Sequence, residues 1–107
     1  MLRSMAYARK PVRLIVNADD FGLTRGVNRA IAELATGNAL RSATLMASGD
    51  AFADAASLAG SLPHMGTGCH VVLVDGSCCA QPEAVPSLAD DSGRFGDSLP
   101  RLSLIHI

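Results

Sequence analysis

Leu14-Ile15-Val16-Asn17-Ala18-Asp19-Asp20-Phe21-Gly22 is a short apolar run that halts at two adjacent carboxylates and a glycine. Branched residues in a run of this length predict a buried parallel strand, here Val12 to Ala18. In α/β proteins, ligands and reacting groups collect just past the carboxyl ends of such strands. Two acids at that place cost desolvation unless a cation, a partner or water compensates. The pair Asp19-Asp20 marks a candidate site.

The neighbouring sequence continues the pattern. Thr24 or Arg25 opens a helix in which Val27, Ala30, Ile31 and Leu34 recur at helical spacing. Gly37 and Asn38 stop it. Leu40 to Ala47 reads as a second strand. Gly49-Asp50 breaks that strand, with Asp50 a plausible N-cap for an alanine-rich helix over Ala51 to Leu62. Phe52, Ala55, Ala56, Leu58 and Ala59 supply its apolar face. Pro63 and the glycines after it end the helix, and Gly68 to Val74 reads as a third strand. From Asp75 onward the chain is rich in Pro, Gly and Ser without periodicity. Alternation of strands and helices predicts an α/β fold with a parallel sheet and right-handed crossovers.

Bulk properties narrow the function classes. A chain of 107 residues has the length of one small domain, and 49% of its residues are apolar. Formal net charge is −1, which gives no electrostatic case for nucleic acid or an anionic membrane. Arg3, Arg9, Lys10 and Arg13 form a basic leader, expected to be solvated. No apolar stretch approaches the roughly 20 residues that span a bilayer. The start lacks the apolar stretch of a secretion signal, so a cytoplasmic location is expected. Cys69, Cys78 and Cys79 have no C-x-x-C spacing and read as free thiols in a reducing compartment. Cys69, inside the third strand, is expected to act as a small hydrophobe.

Two further expectations concern the ends of the reading frame. Leu102-Ser103-Leu104-Ile105-His106-Ile107 looks like the translation of a sequencing-library adapter. Native sequence is then expected to end near Arg101, and His106 is not recruited as a ligand. The domain proper is expected over residues 12–101, preceded by the leader 1–11 and followed by the tail 102–107.

The third strand brings a partner to the acids. Parallel strands share one carboxyl edge, so His70 is expected near Asp19 and Asp20. Alternation places His70, Val72 and Val74 on one face and Cys69, Val71 and Leu73 on the other. Carboxylate plus imidazole is a common ligand set for a divalent cation. Asp19 and Asp20 would point oppositely in a regular strand, and Gly22 is expected to supply the turn that lets both reach one site. On spacing alone, a hydrogen-bonded structural histidine and a helix-capping Asp pair explain the same residues.

Asn17-Ala18-Asp19-Asp20-Phe21-Gly22-Leu23 with Gly26-Val27-Asn28 resembles the opening motif of the YdjC-like carbohydrate deacetylases. The resemblance continues in Ser42-Ala43-Thr44-Leu45-Met46, in Ala51-Phe52-Ala53-Asp54-Ala55 and in Gly68-Cys69-His70-Val71-Val72-Leu73-Val74-Asp75-Gly76. It ends in Val85-Pro86-Ser87-Leu88 with Gly93-Arg94-Phe95. The matches fall in order over residues 12–96; each is weak alone, and together they are specific. The form of the third strand most resembles the hopanoid-biosynthesis-associated (HpnK) branch. Cys69 stands where leucine is usual, and Cys78-Cys79-Ala80 departs from a usual Arg- and Pro-rich run.

That resemblance implies a metal-dependent hydrolase removing acetyl groups from N-acetylated amino sugars, on a distorted TIM-like barrel. It matches Asp20 and His70 to two ligands of a divalent metal, magnesium or zinc, and Asp19 to the general base. It implies an acetylated carbohydrate or glycolipid substrate, a chitooligosaccharide or an N-acetylglucosaminyl lipid such as a hopanoid. The resemblance implies a further histidine ligand later in the chain, and nothing here stands in for it, since His64 falls in a turn and His106 in the suspect tail. A barrel of this kind needs about 250 residues, so an N-terminal part is expected, inactive alone. Homo-oligomerisation is left open. The long loop containing Pro82, Pro86 and Pro100 is expected either to wall a sugar groove or to be a solvated connection, with Asp75, Asp90 and Asp91 as turn or surface acids. Two alternatives stand beside the enzyme. One is a receiver-like signalling module with Asp75 as phospho-acceptor, weakened because the sole lysine, Lys10, precedes the first strand. The other is a non-catalytic fragment.

Overall fold

The structure, a computed structural model, describes residues 11–100. Its core is a three-stranded parallel sheet in the order β1-β2-β3, formed by β1 (Asn17–Phe21), β2 (Ser42–Met46) and β3 (Gly66–His70). Helix α1 (Arg25–Thr36) joins the first two strands and α2 (Phe52–Ser61) the second and third. The α/β class and the order of elements agree with the sequence. Most of the leader and all of the tail lie outside the described residues.

Strand boundaries move. Val12, Leu14 and Ile15 are exposed, and pairing begins at Asn17. An apolar run becomes a strand only where a neighbour completes its hydrogen bonds, and the pairing given for β1 is with β2. At the other edge, β3 begins at Gly66 and its ladder stops at His70 opposite Met46. The predicted alternation outlives the ladder, since Val72 and Val74 are half-buried while Val71 and Leu73 are exposed.

Local chemistry sets the helix ends. Thr24, extended at φ −141° and ψ 158°, caps α1, its Oγ1 accepting the Val27 N–H at 3.2 Å. Gly37 donates to Glu33 O, but Asn38 takes the left-handed conformation, φ 59°, that turns the chain out. Asp50 is not a cap, because α2 starts after Ala51 and has no side-chain cap. The inward stripe of α1 is Val27, Asn28, Ile31 and Ala35, whereas Ala30 and Leu34 face out. Both helices cover one face of the sheet, burying Phe21, Ile31, Leu40, Ala43, Ala55 and Met65.

The segment after Asp75 is not a featureless connection. It holds a short 3₁₀ turn at Pro82–Ala84 and antiparallel bridges pairing Ser77 with Arg94 and Ala89 with Phe95. Main-chain bonds from Asp75 to Gly96, Cys78 to Gly93 and Phe95 to Gly76 zip it together. Among the described residues, no helix is long and apolar enough to cross a membrane.

Candidate functional site

The site is made by an irregularity in β1. Ala18 pairs with Ala43 and Phe21 with Leu45, so β1 carries one residue more than β2 over this interval. This is a β-bulge, which bends a strand and re-aims its side chains. Packing supplies a reason for it. Ala18 and Phe21 both belong to the core, yet residues an odd number apart on a regular strand face opposite sides. The extra residue restores Phe21 to the covered face and leaves Asp19 and Asp20 together near Thr44. Asp20 absorbs the distortion at φ 63°, a left-handed conformation that Asp tolerates better than most residues. Gly22, at φ 106°, follows with the turn. Gly22 supplies the turn expected of it, and Asp20 itself turns as well.

On the sheet face opposite the helices, Asp19, Asp20, Thr44 and His70 come together. Asp19 Oδ1 accepts from the Thr44 hydroxyl at 2.7 Å and from Asn17 Nδ2 at 2.9 Å. The Asp20 N–H donates to His70 Nδ1 at 3.3 Å, and the Asp20 carboxylate oxygen Oδ1 lies 3.7 Å from the same nitrogen. Thr44 Oγ1 is 3.3 Å from His70 Nδ1. A cation held at Nδ1, the ring nitrogen beside Asp20 Oδ1, would take over the lone pair that here accepts the Asp20 N–H. The single Thr44 hydrogen is directed at Asp19. Asp20 and His70 keep 52% and 26% of their side-chain surface exposed, so both remain reachable from solvent.

The Asp pair does not cap α1; Thr24 does. His70 is hydrogen-bonded, as a structural histidine would be, but it ends its strand beside a carboxylate and within reach of solvent. Among the described residues, no group of three or more His, Cys, Asp or Glu could hold a metal ion. His64 is exposed in the turn before β3, and His106 lies outside the described residues. The donor set Asp20 and His70 fits a divalent cation in chemistry, a hard carboxylate oxygen beside an imidazole nitrogen. It accounts for two ligands.

Sequence reasoning did not single out Thr44 or Asn28. Thr44 was legible only as a polar residue in an apolar strand. Asn28 lies one position from the apolar stripe expected of α1; it is fully buried. Other expectations are settled more simply. Cys69 is exposed, not a buried hydrophobe, and all three cysteines are free. Asp75 lies beyond the end of β3 and pairs with Arg94 at 3.5 Å, so it does not occupy a strand-end phospho-acceptor position. Asp90 is a turn acid. Its carboxyl is held below the ordinary carboxylate range, first by the Ser92 hydroxyl and then by the Arg94 N–H. The folded loop and the continuation of β3 enclose an apolar cavity of about 290 Å³ that reaches His70 and is lined by Val72, Cys78, Val85 and Phe95.

The chain is similar to known proteins in sequence and in fold. The profile of the family described as YdjC-like protein matches residues 13–106. A carbohydrate deacetylase of Brevibacillus brevis is 48% identical over 84 residues, covering 78% of this chain and 33% of the relative. A chitooligosaccharide deacetylase of Klebsiella pneumoniae is 39% identical over 102 residues, covering 87% of this chain and 39% of the relative. A crystal structure of an Enterococcus faecalis protein, named for cellobiose-phosphate cleavage, superposes with a TM-score of 0.72 at 31% identity. It covers 83% of this chain and 35% of that one. The chain belongs to the YdjC-like family, and it spans about a third of the length of these relatives.

Proposed function

We propose that this chain supplies the Asp-Asp-His part of a metal-dependent deacetylase site acting on N-acetylated amino sugars. The observation that carries the proposal is the bulge, which places both carboxylates and the histidine on one side of the sheet. Relatives named carbohydrate deacetylase and chitooligosaccharide deacetylase support the substrate class. Asp20 and His70 would hold a magnesium or zinc ion. Such an ion, when bound, supplies Lewis acidity and lowers the pKa of water from 15.7 toward about 7. Further ligands and a TIM-like barrel around the sheet belong to the same proposal, as does a glycolipid such as a hopanoid as one form of the substrate.

The chain's own residues define the proton route. Asp19 acts as general base toward the attacking water. Asn17 and Thr44 both donate to Oδ1 of Asp19, which orients the carboxylate and leaves Oδ2 to take the proton. Thr44 also stands between Asp19 and His70, fixing their separation. The apolar pocket beside His70 offers space for the acetyl methyl group.

The test begins with the open reading frame that contains these codons, read from unfragmented DNA and expressed. Acetate release from N-acetylated chitooligosaccharides should require added magnesium or zinc and should fall at least a hundredfold in Asp19→Asn and in His70→Ala. Release indifferent to chelation, or unchanged in both variants, would overturn the proposal.

A further inference from the structure

Asn28 is the one buried polar side chain among the described residues, with no exposed surface at all. Burying an amide is unfavourable unless its hydrogen bonds are met, and here all are met within the fold. Its Oδ1 accepts the Gly22 N–H at 2.7 Å. Its Nδ2 donates to Ala51 O at 3.0 Å and to Asp54 Oδ2 at 2.7 Å. The three partners come from three places: the turn after β1, the residue before α2, and α2 itself. The Ala51 N–H donates back to Gly22 O at 2.9 Å, which closes the ring. Gly49 lies so near Gly22 O that a methyl group there would meet main-chain oxygen. The turn has no room to relax on that side.

The site needs one acceptor and two donors on a short stem. Of the short side chains only asparagine has that inventory; aspartate lacks donors and leucine lacks both. The clamped Gly22 is two residues from Asp20, and the intervening turn is closed by the Leu23 N–H bonding to Asp20 O at 3.0 Å. Asp20 holds its left-handed φ of 63° inside that turn. We propose that Asn28, backed by Asp54, is the positioning residue that locks the Asp20–Leu23 turn so that the Asp20 carboxylate faces His70. Asn28 has no contact with His70 and acts through Gly22. This rests on the assignment of Asp20 and His70 as cation ligands.

The test uses the full-length product of the reading frame that contains these codons and two readouts besides activity: the HN–Hα coupling of Asp20, which reports its φ, and the zinc dissociation constant by calorimetry. Asn28→Asp keeps the size and the acceptor for Gly22 but sets a carboxylate against Ala51 O and Asp54. It should move the Asp20 coupling away from its left-handed value and weaken zinc binding by about tenfold or more. The exchange Asn28→Asp with Asp54→Asn restores a donor between the two positions while Ala51 O stays unpaired, and both readouts should recover in part. Should Asn28→Asp not fold, Asp54→Ala should shift both readouts the same way by a smaller amount. A folded Asn28→Asp or Asp54→Ala chain with unchanged coupling and zinc affinity would overturn the proposal. If the unaltered chain binds no zinc, the ligand assignment fails and the Asp20 coupling decides the positioning role by itself.

Discussion

The two faces of the small sheet obey different rules. The covered face is a problem of volume: Phe21, Ala43, Ile31 and Ala55 fill the space under two helices. The opposite face is a problem of polarity: Asp19, Asp20, Thr44 and His70 lie on it, linked to one another and open to solvent. One bulge serves both faces. It brings Phe21 into the core and collects the acids on the other side, so the packing demand and the chemical arrangement have one structural cause.

The largest expected effect comes from breaking the covered face. Phe21→Ala should cost about 3–5 kcal/mol, as a fully buried aromatic does, and should disorder the bulge with it. Denaturant melts followed by circular dichroism measure this. A loss below about 1 kcal/mol would mean that the core does not depend on the bulge. On the open face, Thr44→Val should leave the melting midpoint nearly unchanged while slowing acetate release by the full-length product about tenfold or more, because it removes the hydroxyl donated to the base Asp19. A large stability loss with unchanged acetate release would reverse the roles given to the two faces. The smallest effect lies in the loop. Asp90 has a depressed pKa in the folded state, so its contribution is present above the unfolded-state value and fades as pH falls through the folded value. The Ser92 and Arg94 amide signals should titrate in acid, below the ordinary carboxylate range. Asp90→Asn should abolish that titration and leave the β1–β3 sheet signals unmoved.

Much of this was legible in the sequence. The order β-α-β-α-β follows from apolar runs and helix-stopping residues, Asp19 and Asp20 stand out as acids closing an apolar strand, and His70 as the one polar residue on its face of the third. Boundaries were not legible, because Leu14 and Ile15 look like strand to any local criterion and only pairing decides. The bulge was hidden in arithmetic: Ala18 and Phe21 are both apolar and an odd number apart, which regular alternation cannot bury together. Asn28 was half visible, a polar residue one position from the expected stripe. The order of the 75–98 segment rests on main-chain bonds, which leave little trace in side-chain pattern.

The central claim is that the bulge makes Asp20 and His70 one cation site. Calorimetric titration of the full-length product of the reading frame with zinc, beside Asp20→Gly and His70→Ala, tests it most directly. Glycine accepts the left-handed φ at position 20, so Asp20→Gly should keep the fold while removing only the carboxylate. The account predicts one zinc ion per chain, with affinity falling at least tenfold in each variant while both remain folded. Zinc binding that survives both substitutions, or that is absent from the unaltered chain, would contradict it.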